Sequence, residues 1–171
     1  MSIYLDTNIF YNAYSPIEDR FTADWLLNQL SSDFPGVTSE WTIVEMFRAL
    51  KKQVNLNKIE NNDAQVVIDL FLSDIGEDTQ KKKLFIIRVK KSYIMAARPF
   101  IFNENLYAAD AVHTITALQA KVDAFITYDG DFKKLKKIPI INPKKDDFKN
   151  SINEIKENYI KKTGKKKLKN K

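Results

Sequence analysis

Short apolar runs alternate with longer segments of helical periodicity along this chain. The first run covers residues 3–5 and ends at an acid, Asp6, and a similar run ends at another acid, Asp129. Short apolar runs that stop at polar residues are typical of strands buried in a parallel sheet. The predicted strands are residues 3–5, 37–38, 124–128 and 138–141.

Between the strands, apolar residues three and four positions apart predict helices. Ser15, Pro16 and Glu18 together are typical of a helix start, and the helix that follows is predicted to reach about Leu30. The segment 78–98 contains strand-forming residues, but we predict one long helix that ends before a proline. The other predicted helices cover residues 39–53, 60–75, 105–120, 132–137 and 147–162.

Strands that alternate with helices predict an α/β protein built on a parallel sheet. A chain of 171 residues is long enough to form one domain with a buried core. Ligands of open α/β sheets bind beyond the carboxyl ends of the strands. Asp6, Asp129 and the nearby Asp131 should therefore converge on one edge of the sheet.

The residue types restrict the possible chemistry. The chain has no cysteine and one histidine, His113, which excludes disulfides, cysteine nucleophiles and zinc sites built from several histidines. A metal ion would be held by oxygen atoms, which favours Mg²⁺ or Mn²⁺. No apolar run is long enough to span a membrane, and an acid interrupts the first apolar run, so we expect a cytoplasmic protein without a secretory signal.

The net charge of +6 is concentrated at the C-terminus. Residues 144–171 carry 11 lysines and 4 acids, whereas residues 1–143 are almost neutral. A basic tail favours a polyanionic partner, although a solubilising role explains its composition equally well. We predict a domain over residues 1–143, followed over residues 144–171 by a basic helix and a disordered end.

Four acids fall at the ends of predicted elements: Asp6 and Asp129 end strands, and Glu45 and Asp110 lie early in helices. Each has a structural explanation, because Asp6 and Asp129 suit turns, Glu45 could form a capping box with Thr42, and Asp110 suits a helix dipole. Together, however, clustered carboxylates repel one another unless a cation neutralises them. A bound divalent ion would explain why they are assembled.

These acids lie within four short motifs. The motifs are Asp6-Thr7-Asn8, Thr42-Ile43-Val44-Glu45-Met46, Asp110-Ala111-Val112-His113 with Thr116-Ala117-Leu118, and Thr127-Tyr128-Asp129-Gly130-Asp131-Phe132. In this order they resemble the PIN domain family, whose most numerous members are the toxins of VapC-type toxin–antitoxin pairs. The resemblance covers residues 1 to about 143. It implies a three-layer α/β/α fold around a mostly parallel, twisted sheet of four or five strands.

The resemblance also implies an activity, namely metal-dependent endoribonucleolytic hydrolysis of single-stranded RNA with Mg²⁺ or Mn²⁺. A cognate antitoxin and a homodimer are the protein partners to expect from the family, with no membrane association. The corresponding catalytic and metal-binding acids are Asp6, Glu45, Asp110 and Asp129, with Asp131 as a fifth candidate. The corresponding supporting polar residues are Thr7, Asn8 and Thr127.

Basic residues near the acids are candidates for contacts with the nucleic-acid backbone. They are Arg48, Lys133, Lys134, Lys136 and Lys137. An exposed ion pair with Glu45 would explain Arg48 equally well. We interpret His113 as a surface or packing histidine in preference to a general base. The middle of the chain, residues 55–105, is predicted to be helical and is longer than in small VapC-type toxins.

Two other functions are compatible with the motifs. One is a non-catalytic PIN-like module that binds RNA or a protein, with the acids serving as helix caps and turn residues. The other is a phosphatase with an aspartate nucleophile on the first strand. Such phosphatases usually carry a second acid two residues after the nucleophile, and here that position is Asn8.

Overall fold

The computed structural model describes residues 2–15 and 20–169, and in the last helix it describes side chains to residue 158 and at residue 161. A single sheet runs through the centre, with helices on both faces. Within the described ranges, no helix is both long enough and apolar enough to cross a membrane.

Five parallel strands form the sheet. They are β1 (Ile3–Leu5), β2 (Gly36–Ser39), β3 (Leu84–Ile87), β4 (Ala124–Ile126) and β5 (Ile140–Ile141). Their order across the sheet is β3-β2-β1-β4-β5, and every neighbouring pair is parallel. Ile3 of the central strand lies opposite Gly36 on one side and Ala124 on the other. The predicted α/β fold with a parallel sheet of four or five strands is confirmed.

The helices connect the strands and cover the sheet. They are α1 (Thr7–Tyr14), α2 (Phe21–Asn28), α3 (Trp41–Asn55), α4 (Asn61–Gln80), α5 (Lys91–Ala96), α6 (Arg98–Phe102), α7 (Ala108–Ala120) and α8 (Phe148–Lys169), with a 3₁₀ turn at Asp131–Lys134. α3 and α7 are the predicted helices 39–53 and 105–120, with ends moved by two or three residues. The helix predicted over 132–137 is the 3₁₀ turn.

Side chains of β1 alternate between two cores, one on each face of the sheet. Ile3 and Leu5 pack into a core that includes residues of α1, α2, α3, α4 and α8. Tyr4 packs into the second core with residues of α6 and α7, and its ring stacks on that of Phe125 with the centroids 4.8 Å apart. The architecture is therefore a three-layer α/β/α arrangement, as the family resemblance implied.

The prediction of one helix over 78–98 is wrong. The helix predicted over 60–75 is α4, which continues to Gln80, and after Lys82, with a φ of 57°, the chain enters β3. All four residues of β3 pair with β2, and Leu84 is buried. Backbone pairing with β2 outweighs the helical pattern here. The local sequence pattern could not reveal this pairing, because β2 is distant in sequence.

The sequence pattern did not predict α1, which begins directly after Asp6. The Asp6 carboxylate accepts a hydrogen bond from the backbone N–H of Thr7 and so caps this helix. Ile9 and Phe10 of α1 are buried in the first core. The helix start predicted at Ser15–Glu18 falls largely on residues 16–19, which lie outside the described residues.

Gly36 lets β2 pack closely against the central strand. A Cβ atom at this position would lie 2.9 Å from Leu5 Cδ1 and 3.0 Å from Leu30 Cδ1. Both distances are shorter than ordinary van der Waals contact, so the first core closes over a residue without a side chain.

The start of α8 is part of the first core. Phe148 and Ile152 are 2% and 0% exposed, and the Phe148 ring meets that of Trp25 with the centroids 5.8 Å apart. α8 is described to Lys169, beyond the helix end predicted at residue 162. The division of the chain at residue 143 and the disordered end remain predictions.

Candidate active site

The four predicted acids line one cleft of about 340 Å³ at the carboxyl edge of the sheet. Asp6 directly follows β1, and Asp129 lies three residues after the end of β4. Glu45 is on the second turn of α3, and Asp110 is in the first turn of α7. The sheet and two flanking helices thus bring together residues that lie more than 100 positions apart in the chain.

Asp6 is 5% exposed, and both of its carboxylate oxygens are hydrogen-bonded. Oδ1 accepts from the Thr7 N–H at 2.8 Å, and Oδ2 accepts from Asn8 Nδ2 and from the Thr127 hydroxyl, each at 2.6 Å. Asn8 Oδ1 also accepts from the N–H of Tyr128 at 3.1 Å. These bonds join the end of β1 to the end of β4, so the three predicted supporting residues hold the first acid in place.

Glu45 is held by hydrogen bonds from two residues, one on α1 and one on α7. Its Oε2 atom accepts from the Thr7 hydroxyl and from His113 Nε2, the latter at 2.7 Å. The capping box predicted for Thr42 and Glu45 does not form, because the Thr42 hydroxyl is instead 2.7 Å from that of Thr38. Glu45 therefore does not serve as a helix cap; its carboxylate lines the cleft while its Oε2 atom is held by Thr7 and His113.

His113 is the residue that the sequence interpretation did not connect to the site. It is wholly buried, and its Nδ1 atom lies 2.7 Å from the Tyr4 hydroxyl. Burial by itself lowers the pKa of His113, but the hydrogen bond to Glu45 and the charges of Asp6, Glu45 and Asp110 outweigh it and raise the pKa.

Burial also acts on Glu45, where it raises the pKa, but the hydrogen bond and the charge of His113 outweigh it and leave the pKa of Glu45 below its usual range. Both shifts favour an imidazolium–carboxylate pair. The sequence signs of this arrangement were Tyr4, whose hydroxyl lies in an otherwise apolar strand and contacts His113, and the position of His113 itself on an apolar helix face.

Asp110 is a carboxyl group whose pKa is raised by its position in the cluster. Burial, followed by the negative charges of Asp6 and Asp129, raises the pKa of Asp110 to about 7. Burial likewise raises the pKa of Asp6, against the opposing effects of the His113 charge and the Thr127 hydrogen bond. The acids therefore repel one another across the cleft, as the sequence argument anticipated.

Asp129 is ordered by its neighbours on the loop after β4. Its N–H donates to the Thr127 hydroxyl at 2.9 Å, and its Oδ1 accepts from the N–H of Asp131 at 2.8 Å. Asp131 is exposed, begins the 3₁₀ turn and does not line the acid cleft. Asp131 thus contributes a backbone donor to Asp129, and a role for its carboxylate stays a prediction.

The donor set suits a hard divalent cation, although no closed cage is formed. Among the described residues, no three acidic or histidine side chains stand close enough together to form a cation site. The cleft nevertheless offers carboxylate, hydroxyl and amide oxygens, which Mg²⁺ and Mn²⁺ prefer. A cation bound there would also offset the repulsion that raises the pKa of Asp110. Asp6, Glu45, Asp110 and Asp129 fit the role of its ligands.

The predicted basic residues divide between two clefts. Arg48 lines the acid cleft one turn after Glu45, together with Lys52, which the sequence analysis did not include. Lys133, Lys136 and Lys137 line a second cleft next to the first. Lys134 lines neither of the two clefts.

Comparisons with known proteins agree with this architecture. The family model described as PIN domain matches residues 3–138. No curated protein is similar enough in sequence to match the chain.

Several solved structures share the fold. The structure of VapBC2 from Rickettsia felis, bound to a DNA fragment from their promoter, is 20% identical with a TM-score of 0.59, covering 83% of this chain and 98% of that one. FitAB bound to an IR36 DNA fragment is 18% identical with a TM-score of 0.61, and the match covers 82% of this chain and 94% of that one. FitAcB from Neisseria gonorrhoeae is 19% identical with a TM-score of 0.60, and the match covers 82% of this chain and 97% of that one.

Proposed function

The chain belongs to the PIN domain family, and on that premise we propose that it is a metal-dependent endoribonuclease that hydrolyses phosphodiester bonds of single-stranded RNA. PIN proteins are generally nucleases, which supports a hydrolase in general. The observation that supports the finer proposal is the cleft in which four acids from four separate parts of the chain meet. The mutual repulsion of these carboxylates destabilises the fold, and a bound cation would be attracted by the same negative charges and would neutralise them.

The acids Asp6, Glu45, Asp110 and Asp129 would hold one or two Mg²⁺ or Mn²⁺ ions. When bound, such an ion supplies Lewis acidity that polarises the phosphoryl group and offsets the charge that builds up during in-line displacement. The chain itself supplies a rigid set of ligands, because the hydrogen bonds around Asp6 and Glu45 leave these carboxylates one orientation each.

Other residues of the cleft would orient the RNA. Arg48 and Lys52 follow Glu45 by one and two turns of α3, on the wall of the acid cleft. Their positive charges suit the phosphates on either side of the scissile bond. No side chain needs to act as a covalent nucleophile, and the proposed reaction is direct attack by water.

The test is the cleavage of an end-labelled single-stranded RNA with Mg²⁺ or Mn²⁺, with Asp6→Asn and Asp69→Asn beside the wild type. Asp69 is an exposed acid in the middle of α4 and controls for the loss of one charge. We expect the wild type and Asp69→Asn to cut and Asp6→Asn to be silent. Equal activity in all three would reveal a contaminating nuclease and refute the proposal.

One observation favours the non-catalytic module as a second candidate. Without metal, the acids of the described residues do not form a closed cation site. RNA that is bound but never cut by the wild type, at millimolar Mg²⁺ and Mn²⁺, would select this alternative.

We further propose that the chain is the toxin of a toxin–antitoxin pair. The support is the likeness to VapBC2, to FitAB and to a structure described as a toxin–antitoxin complex from Klebsiella pneumoniae. Growth arrest on expression, relieved by a co-expressed partner and absent in Asp6→Asn, is the expected result. The predicted homodimer is tested by light scattering of the purified protein.

A further inference from the structure

A second cleft adjoins the acid cleft, and we call it the lysine cleft. It has a volume of about 460 Å³ and is lined by Lys133, Lys136, Lys137 and Lys145, with an apolar wall that includes Leu135. Its volume is within the range of pockets that hold a small ligand such as one nucleotide.

The charges of the lysine cleft are not neutralised by the protein. Asp129 is the only acid among its lining residues. None of the four lysines forms an ion pair with a described residue, and Lys137 Nζ lies 5.1 Å from the centre of the Phe100 ring. Four unpaired positive charges around one concave surface form an attractive potential for a polyanion.

The two clefts meet at Asp129, which lines both of them. The acid cleft carries Arg48 and Lys52 on its other side, so positive charges flank the carboxylates in two directions. An anionic chain that passes over the four acids can therefore find cations before and after them.

We propose that the substrate RNA crosses the carboxylate centre at Asp129 and places a nucleotide next to the scissile bond in the lysine cleft. This inference rests on the proposed function. Lys133, Lys136 and Lys145 contact the phosphates, while the base or sugar packs against the apolar wall. The lysine cleft thus gives the nuclease affinity for the polymer beyond the bond that it cuts.

The chain offers a matched pair of variants for the test. Lys133→Ala with Lys145→Ala removes two lysines of the cleft. Lys134→Ala with Lys144→Ala removes their immediate sequence neighbours, which are also exposed but do not line the cleft. Both double variants change the net charge by the same amount, so a difference between them reports the position of the lysines and not their number.

The measurement is the affinity for a labelled single-stranded RNA between 50 and 200 mM salt, in EDTA so that no cutting occurs. Each lost phosphate contact lowers the slope of log affinity against log salt by about 0.7 on a single strand. We expect the cleft variant to lose about 1.4 from the slope and the control variant to keep it. The wild type should then lose about sevenfold more affinity over this salt range than the cleft variant.

Each outcome has a distinct meaning. Equal slopes for the two double variants would overturn the lysine cleft as an RNA subsite while leaving the nuclease intact, and the cleft would then serve another anionic partner. A wild type that binds no RNA in EDTA would overturn this inference, whereas the proposed function is decided separately by cleavage in Mg²⁺ or Mn²⁺. Cleavage provides a second criterion, because the cleft variant should raise KM for a long RNA while leaving kcat nearly unchanged.

Discussion

Replacing Asp110 by asparagine should stabilise the metal-free protein while destroying its response to metal. Asp110 is half-buried, and its pKa is raised from 3.8 to about 7 by burial and by the charges of Asp6 and Asp129. The ionised side chain therefore destabilises the folded state at neutral pH. Asparagine keeps the shape of the side chain and removes the charge.

The magnitude follows from the shift. A difference of about 3 pH units corresponds to about 4 kcal/mol at 1.36 kcal/mol per unit. Asp110 is partly open to solvent, which screens the repulsion, so about 1–2 kcal/mol is expected. For a domain of this size that is a rise in melting temperature of about 4 °C at pH 8.

The sign of the pH dependence is fixed by the direction of the shift. Because the folded pKa lies above the unfolded one, the wild type is most stable below pH 4 with respect to this group and loses stability as pH rises towards 7. The advantage of Asp110→Asn should consequently grow between pH 5 and pH 8.

The assay is thermal unfolding of the wild type, Asp110→Asn and Asp69→Asn at pH 5 and pH 8, in EDTA and then with Mn²⁺. Added Mn²⁺ should stabilise the wild type by mass action, by about 2.7 kcal/mol at 100 times the dissociation constant, and should have little effect on Asp110→Asn. An Asp110→Asn protein that is less stable than the wild type in EDTA at pH 8 would refute the reasoning.

Three further predictions concern the support of the site and the core. His113→Asn should weaken Mn²⁺ binding by about 10–100-fold in a calorimetric titration, because Glu45 loses the donor that orients it. Phe148→Ala should lower the free energy of unfolding in urea by about 3–5 kcal/mol, and a change below 1 kcal/mol would mean that α8 does not belong to the core. Gly36→Ala should cost about 1–3 kcal/mol, since the new methyl group would crowd Leu5.

The parts of the fold that follow from local patterns were predictable. β1, β4 and α7 have apolar runs or a clear helical period, and α3 likewise appeared within two residues of its bounds. β3 was not predictable, because Leu84–Ile87 fits either structure and its partner β2 lies more than 40 residues away. α1 was missed because Asp6 was interpreted as a turn residue or a site residue, whereas its carboxylate caps a helix.

The acids of the site could be named from the motifs, but their surroundings could not. The bond between His113 and Glu45 joins residues 68 positions apart, and no local pattern contains it. Lys133 and Lys134 are indistinguishable in sequence, and only the path of the 3₁₀ turn separates the lysine that lines a cleft from the one that does not. Packing determines these details after the elements have formed.

The pairing of β1 with β4 also has a consequence for folding of the chain during its synthesis. A nascent chain that has not yet emerged beyond Ala124 carries Asp6, Glu45 and Asp110, yet β1 lacks its neighbour and Asp6 lacks the hydroxyl of Thr127. Asp129, the lysine cleft and the core residues of α8 follow only in the last part of synthesis. A chain that stops before β4 therefore cannot assemble the four acids of the cleft, and the site is completed only when the C-terminal part of the domain has folded onto β1.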